Sequence, residues 1–413
     1  MLPKNNYNNF YCPAIWKQVH LSTNGEILPC CVYKNDGKSE YIKDSNLEVH
    51  NSDIFINDRK KVLDKKVPKG CIYCVKQEAQ NIKSHREHLI DKLSPVMATL
   101  APTETTPVRD KSLKVGNEDI EYLDVRLGNT CNFMCNFCGP SASHLLAKEA
   151  LKAIPTLFSY KEALNLHQFN NKDVFEKFLK SIDNYPNLKW VHIAGGEPFY
   201  MKKELLMLLD AIKNKSQVKV RILTNVSVYD EEIIKKLDDF NKVSLMLSID
   251  SVGKAIEISR WKSNWKLLDE NVTKFLELKL KHSPAKYILQ FVPAISIFTV
   301  MNLPNFLKYV INKKIRAEIL FIQDPVEQVV NLLDSEQLRH VKKELRSFED
   351  QESLYKWCNY DEVLNQLDYY IKNNNVDNSI IREFWKKQDV YEKYRKYSLK
   401  KEMPFLHSII KKV

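Results

Sequence analysis

Long apolar runs are missing from this chain. No stretch approaches the roughly twenty residues needed to cross a bilayer, and the opening Met-Leu-Pro-Lys-Asn-Asn-Tyr-Asn-Asn-Phe holds no signal-peptide core. Neither a membrane span nor a secretory leader is expected, and the chain reads as cytoplasmic. Glycine is scarce, with nine in 413 residues. A pair of adjacent glycines is therefore informative, because it marks a backbone that something must approach closely. Concentrated charge is also absent: 63 Lys and Arg are interleaved with 52 acidic residues, for a net charge of +11. Such interleaving describes a solvated surface before a nucleic-acid footprint, so nucleic acid is not an expected partner. With 44% hydrophobic and 28% charged residues, the chain can bury a core of two or three domains.

Cysteine is present, and it is clustered. Five of the nine cysteines fall in the first 80 residues, and three more form the loop Cys131-Asn-Phe-Met-Cys135-Asn-Phe-Cys138. Three thiols this close cannot pair off without leaving one over, so they read as thiolates facing one metal centre rather than as disulfides. Two centres suit them: a four-iron cluster with one iron left open, or a Cys3His zinc site completed by His144, six residues past Cys138. In the N-terminal group, Cys12 opens an alternating segment that turns at Asn24-Gly25 and returns to Cys30-Cys31, and Cys71-Ile-Tyr-Cys74 follows. A hairpin and a CxxC knuckle supply four ligands for zinc or for an iron–sulfur cluster. Cys12, Cys30, Cys71 and Cys74 are the candidate set, with Cys31 spare. Cys358, beside Trp357, reads as core filling.

A linker is expected over residues 92–117, punctuated by Pro95, Pro102 and Pro107. After it, short apolar strands at 121–128, 189–194, 218–224, 243–249, 287–293 and 317–322 alternate with helical periodicities at 202–213, 230–240, 265–280 and 302–313. This predicts an α/β fold, a parallel sheet or partial (β/α)6 barrel with right-handed crossovers. A small cysteine-rich module precedes it and a charged helical extension follows from about residue 326. In that extension 382–401 is expected to pack through Trp385, Tyr391, Tyr394 and Tyr397.

Sites in such folds lie where strands end, and the candidate residues gather there. The three-cysteine loop follows the first strand, and Gly195-Gly196-Glu197-Pro198 follows the second. Thr224 and Asn225 end the third, and Ser248 and Asp250 end the fourth. The carboxylate of Glu197 can accept from an ammonium group, and the short polar tips suit hydroxyls or a carboxylate. Asp124, Arg126 and Gln290 are polar or ionic residues inside apolar strands, where they need a partner or a task.

A CxxxCxxC loop followed by Gly-Gly-Glu-Pro resembles the radical S-adenosylmethionine (SAM) superfamily over roughly residues 118–325. The resemblance implies that Cys131, Cys135 and Cys138 ligate a [4Fe-4S] cluster whose open iron takes the amino and carboxylate groups of S-adenosylmethionine. It places Phe137 near the adenine, Gly195, Gly196 and Glu197 at the methionyl ammonium, and Thr224, Asn225, Ser248 and Asp250 at the ribose and carboxylate. Arg260 is similar in placement to an arginine that holds the carboxylate. The N-terminal pattern is similar to the SPASM or twitch module, implying an auxiliary [4Fe-4S] cluster on Cys12, Cys30, Cys71 and Cys74. Here that module precedes the barrel, as in twitch-bearing radical enzymes of phages and bacteria. The implied domains are 1–91 (auxiliary module), 92–117 (linker), 118–325 (partial barrel) and 326–413 (helical extension).

The implied activity is reductive cleavage of S-adenosylmethionine to a 5′-deoxyadenosyl radical that abstracts hydrogen. The first choice of substrate is a peptide or protein side chain, to be oxidised or cross-linked, with the auxiliary cluster accepting an electron. A carbohydrate or nucleotide is the alternative, and RNA modification comes third, on net charge alone. The implied electron donor is a flavodoxin or ferredoxin. Outside enzymology, both cysteine groups also suit a zinc-stabilised binding protein.

Overall fold

The computed structural model describes residues 10–35, 39–41, 48–79, 83–93, 111–153, 172–283, 285–374 and 377–410. The three prolines of the expected linker lie outside the described residues. The chain divides into two compact units. The first comprises Met1–Asn129, Asn165–Arg221 and Glu232–Asn241, and the second comprises Thr130–Leu164, Ile222–Glu231 and Lys242–Val413.

The first unit is built on a sheet whose strands bury most of their residues, with Arg126, Trp190 and His192 half-buried. All four residues of Gln18–Leu21 are buried. This strand pairs antiparallel with Ile27–Leu28 and parallel with Tyr122–Arg126, in the register His20↔Asp124. The turn between the first two strands needs Gly25, whose φ is +81°. Tyr122–Arg126 in turn pairs parallel with Trp190–Ala194. The N-terminal hairpin is therefore continuous with the sheet that carries the first expected barrel strand, so the compact units cut across the segments 1–91 and 118–325. The helix Lys202–Ala211 buries Leu205, Leu208 and Leu209, the i, i+3, i+4 stripe that its periodicity predicts.

One buried cation ties the N-terminal part of this unit together. Arg59 donates to the carbonyls of Ile15, His50 and Leu113 and to Asn51 Oδ1 at 2.7–3.1 Å. Its guanidinium also lies 5.5 Å from the Trp16 ring centroid.

In the second unit, Lys242–Leu247, Tyr287–Phe291 and Arg316–Ala317 run parallel, in the registers Val243↔Tyr287 and Gln290↔Arg316. The helices Trp265–Lys281 and Leu303–Lys313 supply the apolar stripes Leu268, Val272, Phe275, Leu278 and Leu303, Phe306, Leu307, Val310. The expected strand 317–322 is split. Arg316–Ala317 joins this sheet, whereas Leu320–Phe321 pairs with Ala294–Ile295. The break falls where the Asn359 side chain takes over both backbone groups of Ile319, accepting from its N–H at 2.8 Å and donating to its carbonyl at 3.1 Å.

Among the described residues from Ser335 onward the chain is mainly helical, as the charged periodicity predicts. Asp334 and Gln337 close a capping box at the first of these helices. In the helix Asn378–Arg395 and the turn after it, Trp385, Tyr391 and Tyr397 are buried, but Tyr394 is 43% exposed and does not pack as expected. Cys358 is buried, with its thiol donating to the Leu354 carbonyl, in keeping with a core position. No helix among the described residues is long and apolar enough to cross a membrane.

Candidate active site

The three-cysteine loop belongs to the second unit. Cys138 N–H donates to the Cys135 carbonyl at 3.2 Å, a turn that brings their thiols together. Phe133 N–H donates to Cys131 Sγ at 3.4 Å and Ser143 Oγ donates to the Phe133 carbonyl at 2.8 Å, which ties the loop to the helix His144–Ala153. Cys131 and Cys135 are buried and Cys138 half-buried. The bond from Cys138 and the charges of Arg260 and Arg395 hold the Cys135 thiol below its ordinary range against the effect of burial. Cys138, the donor in that bond, is pushed well up.

Arg260 reaches this loop through a short antiparallel ribbon. Met134–Cys135 pairs with Arg260–Trp261 in the register Cys135↔Arg260. The guanidinium donates to both oxygens of Asp250 at 2.6 and 2.8 Å, lies 3.9 Å from Cys135 Sγ and stands 5.1 Å from the Phe137 ring centroid. Burial pushes Arg260 down, but the adjacent Asp250 carboxylate outweighs it and the group stays cationic. Asp250 also accepts from Ala294 N–H at 2.9 Å. Asn225 Nδ2 donates to Asn132 Oδ1 at 2.9 Å and lies 3.8 Å from Cys131 Sγ. Thr224 Oγ1 accepts from Val226 N–H at 3.1 Å, and Ser248 N–H donates to the Thr224 carbonyl at 2.9 Å. Phe137, Thr224, Asn225, Ser248, Asp250 and Arg260 therefore share the unit of the three cysteines.

His144 accepts from Cys131 N–H through Nδ1 at 3.1 Å. A neutral imidazole that accepts at Nδ1 carries its proton on Nε2 and has no second lone pair for a metal. This geometry disfavours the Cys3His alternative. Three thiols with two arginines beside them are the donor set that an iron–sulfur cluster takes, since thiolate ligands bring negative charge that nearby cations offset. Among the described residues, no three His, Cys, Asp or Glu side chains form a site for a single metal ion.

The glycine pair and Glu197 belong to the first unit. Gly195 and Gly196 have φ of +82° and +53°. A Cβ on Gly195 would stand 2.8 Å from Arg126 Cβ and 3.1 Å from the Gly128 carbonyl, so the turn packs on the end of the first strand. Glu197 is fully buried and its Oε1 accepts from Phe199 N–H at 3.0 Å.

The N-terminal thiols also lie in the first unit. Burial pushes them up, and neighbouring thiols add to the rise at Cys12, Cys30 and Cys71. Cys12, at about 12, is influenced by Cys74; Cys30 by Cys31, Cys12 and Cys71; and Cys71 by Cys12 and Cys74. Cys31 turns elsewhere, hydrogen-bonded with Asp124 and 3.9 Å from His85 Nε2. Arg86 is close enough to oppose the rise at Cys12, Cys71 and Cys74.

Asp124 and Arg126 have partners as well. Asp124, buried, lies 3.2 Å from His20 and 3.7 Å from Arg126, in register with both His20 and His192. Against burial, the Arg126 charge and then the neighbouring histidines hold its carboxyl well below the usual range. Gln290 donates to Glu318 at 2.8 Å.

Residues 125–293 match the family model described as Radical SAM superfamily. Among curated proteins it is similar to GTP 3′,8-cyclase of Aliarcobacter butzleri (strain RM4018), 26% identical over 135 residues, which is 33% of this chain and 36% of that protein. Among solved structures it is similar to native anSMEcpe with bound AdoMet, with a TM-score of 0.40, 18% identity, and coverage of 59% of this chain and 64% of that one. It is also similar to Streptococcus suis SuiB bound to precursor peptide SuiA, with a TM-score of 0.32, 14% identity, and coverage of 70% and 53%. The chain thus spans about a third of the curated relative's length.

Sequence reasoning missed Asn132, Asn136, Gln328 and Arg395, which brace the cysteine loop. The two asparagines stand inside the motif, but nothing local marks Gln328 or Arg395.

Proposed function

We propose that this chain is a radical SAM enzyme. The observation that carries the reading is the buried three-cysteine loop with Arg260 set against Cys135, inside the segment that matches the superfamily. In this reading Cys131, Cys135 and Cys138 hold a [4Fe-4S] cluster. Phe137, Gly195, Gly196, Glu197, Thr224, Asn225, Ser248, Asp250 and Arg260 form the surroundings of S-adenosylmethionine. When bound, the two together supply an electron and an acceptor for a substrate hydrogen atom. The residues of the chain position these groups, keep water from them and balance their charge. Arg260 has one task visible in its geometry: held by Asp250, it presents a fixed positive charge beside Cys135.

Cys12, Cys30, Cys71 and Cys74 hold an auxiliary [4Fe-4S] cluster, and residues 1–91, 92–117, 118–325 and 326–413 serve as auxiliary module, linker, partial barrel and extension. The substrate is a peptide or protein side chain, on the similarity of the N-terminal cysteine pattern to SPASM and twitch modules. A flavodoxin or ferredoxin in the cytoplasm delivers the electron. A nucleotide substrate is the second reading, favoured by the curated relative's action on GTP.

The test is anaerobic reconstitution with iron analysis, followed by reduction with S-adenosylmethionine present and chromatography for 5′-deoxyadenosine. About eight irons per chain and 5′-deoxyadenosine are expected. Simultaneous Cys131→Ala, Cys135→Ala and Cys138→Ala substitution should leave about four irons and abolish the nucleoside. Zinc in place of iron, or no nucleoside from the fully loaded chain with peptide and nucleotide substrates supplied, would overturn the reading.

A further inference from the structure

The cysteine loop is gripped from outside the matched segment. Asn136, between Cys135 and Cys138, is 3% exposed and uses all of its hydrogen-bonding groups. Its N–H donates to the Ser259 carbonyl at 2.9 Å and its Nδ2 to the Ile258 carbonyl at 3.1 Å. Its carbonyl accepts from Gln328 Nε2 at 2.6 Å, and its Oδ1 accepts from Arg395 Nη1 at 2.6 Å. Two of these four partners come from the C-terminal extension, beyond residue 293 where the family match ends.

Arg395 is itself immobilised. Its Nε and Nη2 donate to the two oxygens of Glu149 at 2.9 and 2.8 Å, on the helix that follows the loop. Its side chain is 1% exposed, and its guanidinium lies 3.7 Å from the Tyr391 ring centroid. One planar fork therefore ties the cysteine loop, the next helix and the C-terminal helix together, and a lysine could not span the same three acceptors. Gln328 is 1% exposed, and its own carbonyl accepts from Ile297 N–H at 2.9 Å. On the outer side an open cavity of about 500 Å³ is walled in part by Met134, Glu149, Trp261 and Arg395. Removing the guanidinium would open that cavity toward the loop.

We propose that Arg395 is a positioning residue for the cysteine loop: with Gln328 it fixes Asn136, and thereby the placement of Cys135 and Cys138, before any cluster is loaded, and its charge eases reduction of the cluster once loaded. The second half rests on the reading of this loop as a cluster site, whereas the first does not.

The experiment has two arms, each on the full chain. In the metal-free protein, thiol alkylation is followed residue by residue by mass spectrometry for the wild type, Arg395→Gln and Arg395→Lys. Both variants should be alkylated at Cys135 and Cys138 about tenfold faster or more, through local opening, with Cys12, Cys30, Cys71 and Cys74 unchanged. Arg395→Lys keeps a cation at this position but not the planar fork, so acceleration shared by both variants reports position rather than charge. Asn136→Ala, which leaves the Arg395–Glu149 pair intact, should reproduce the effect. Unchanged rates at Cys135 and Cys138, or equal acceleration at all of these cysteines, would overturn the positioning role.

In the reconstituted protein, the midpoint potential of the loop's cluster is read by EPR redox titration. It should move to more negative values in Arg395→Gln and stay near the wild-type value in Arg395→Lys. An unshifted potential in Arg395→Gln would overturn the electrostatic half. If the wild type loads no iron on this loop, the reading of the site fails, while the alkylation arm still decides the positioning role.

Discussion

Replacing Arg260 should cost far more stability than replacing an ordinary ligand-facing arginine, because this one is half of a buried ion pair. Asp250 is fully buried, and it accepts two charge-assisted bonds from Arg260 at 2.6 and 2.8 Å and one from Ala294 N–H at 2.9 Å. Each charge-assisted bond is worth roughly 1.5–3 kcal/mol. Without Arg260 the carboxylate keeps one donor in a site with no access to water. Arg260→Met, close in length, should therefore destabilise the chain by about 3–5 kcal/mol. The assay is equilibrium denaturation of the metal-free chain, with the midpoint converted through the measured m-value. Asp250→Leu alone should cost a similar amount by stranding the guanidinium. The double variant should recover at least half of the sum, since neither buried charge then lacks its partner. A loss below about 1 kcal/mol for Arg260→Met, or simple additivity in the double variant, would refute the pairing argument.

Arg59 makes a parallel case in the first unit. Arg59→Ala leaves the carbonyls of Ile15, His50 and Leu113 without this donor, and a loss of about 3–5 kcal/mol in the same assay is expected. His50 provides the pH dependence. Burial and then the Arg59 charge lower it to about 4 from the ordinary 6.5. The unfolded chain therefore binds more protons between those values, and the stability that His50 contributes is complete above pH 6.5 and is lost as pH falls toward 4. His50→Gln should remove about 3 kcal/mol of the difference in unfolding free energy between pH 7.5 and 4, and an identical pH profile would exclude this origin. Gly195→Ala combines a φ of +82° with a Cβ 2.8 Å from Arg126 Cβ. A cost of about 2–4 kcal/mol in a denaturation midpoint is expected, and a neutral result would mean that the strand end yields.

How much was legible in sequence can be judged from single residues. The alternation of strand and helix was readable because it is local: Leu205, Leu208 and Leu209 lie on one helical face whatever packs against them. The spacing of Cys131, Cys135 and Cys138 was readable for the same reason. Cys30 and Cys31 were not separable, since adjacent residues differ only in direction. Only the fold places Cys31 against Asp124 and His85. The split of 317–322 was hidden because its cause, Asn359, arrives from 40 residues away.

By itself, the sequence determined the α/β alternation, the helical extension, the three-thiol loop and the Gly-Gly-Glu turn, all set by periodicity or spacing within a few residues. Tertiary structure alone decided that the N-terminal hairpin pairs with Tyr122–Arg126, that Arg260 stands 125 positions along from Cys135 yet beside it, and that Arg395, 259 positions from Asn136, closes on the cysteine loop. Those contacts depend on strand pairing and helix packing between distant segments, where geometry follows from the closure of the whole core and leaves no trace in the local pattern.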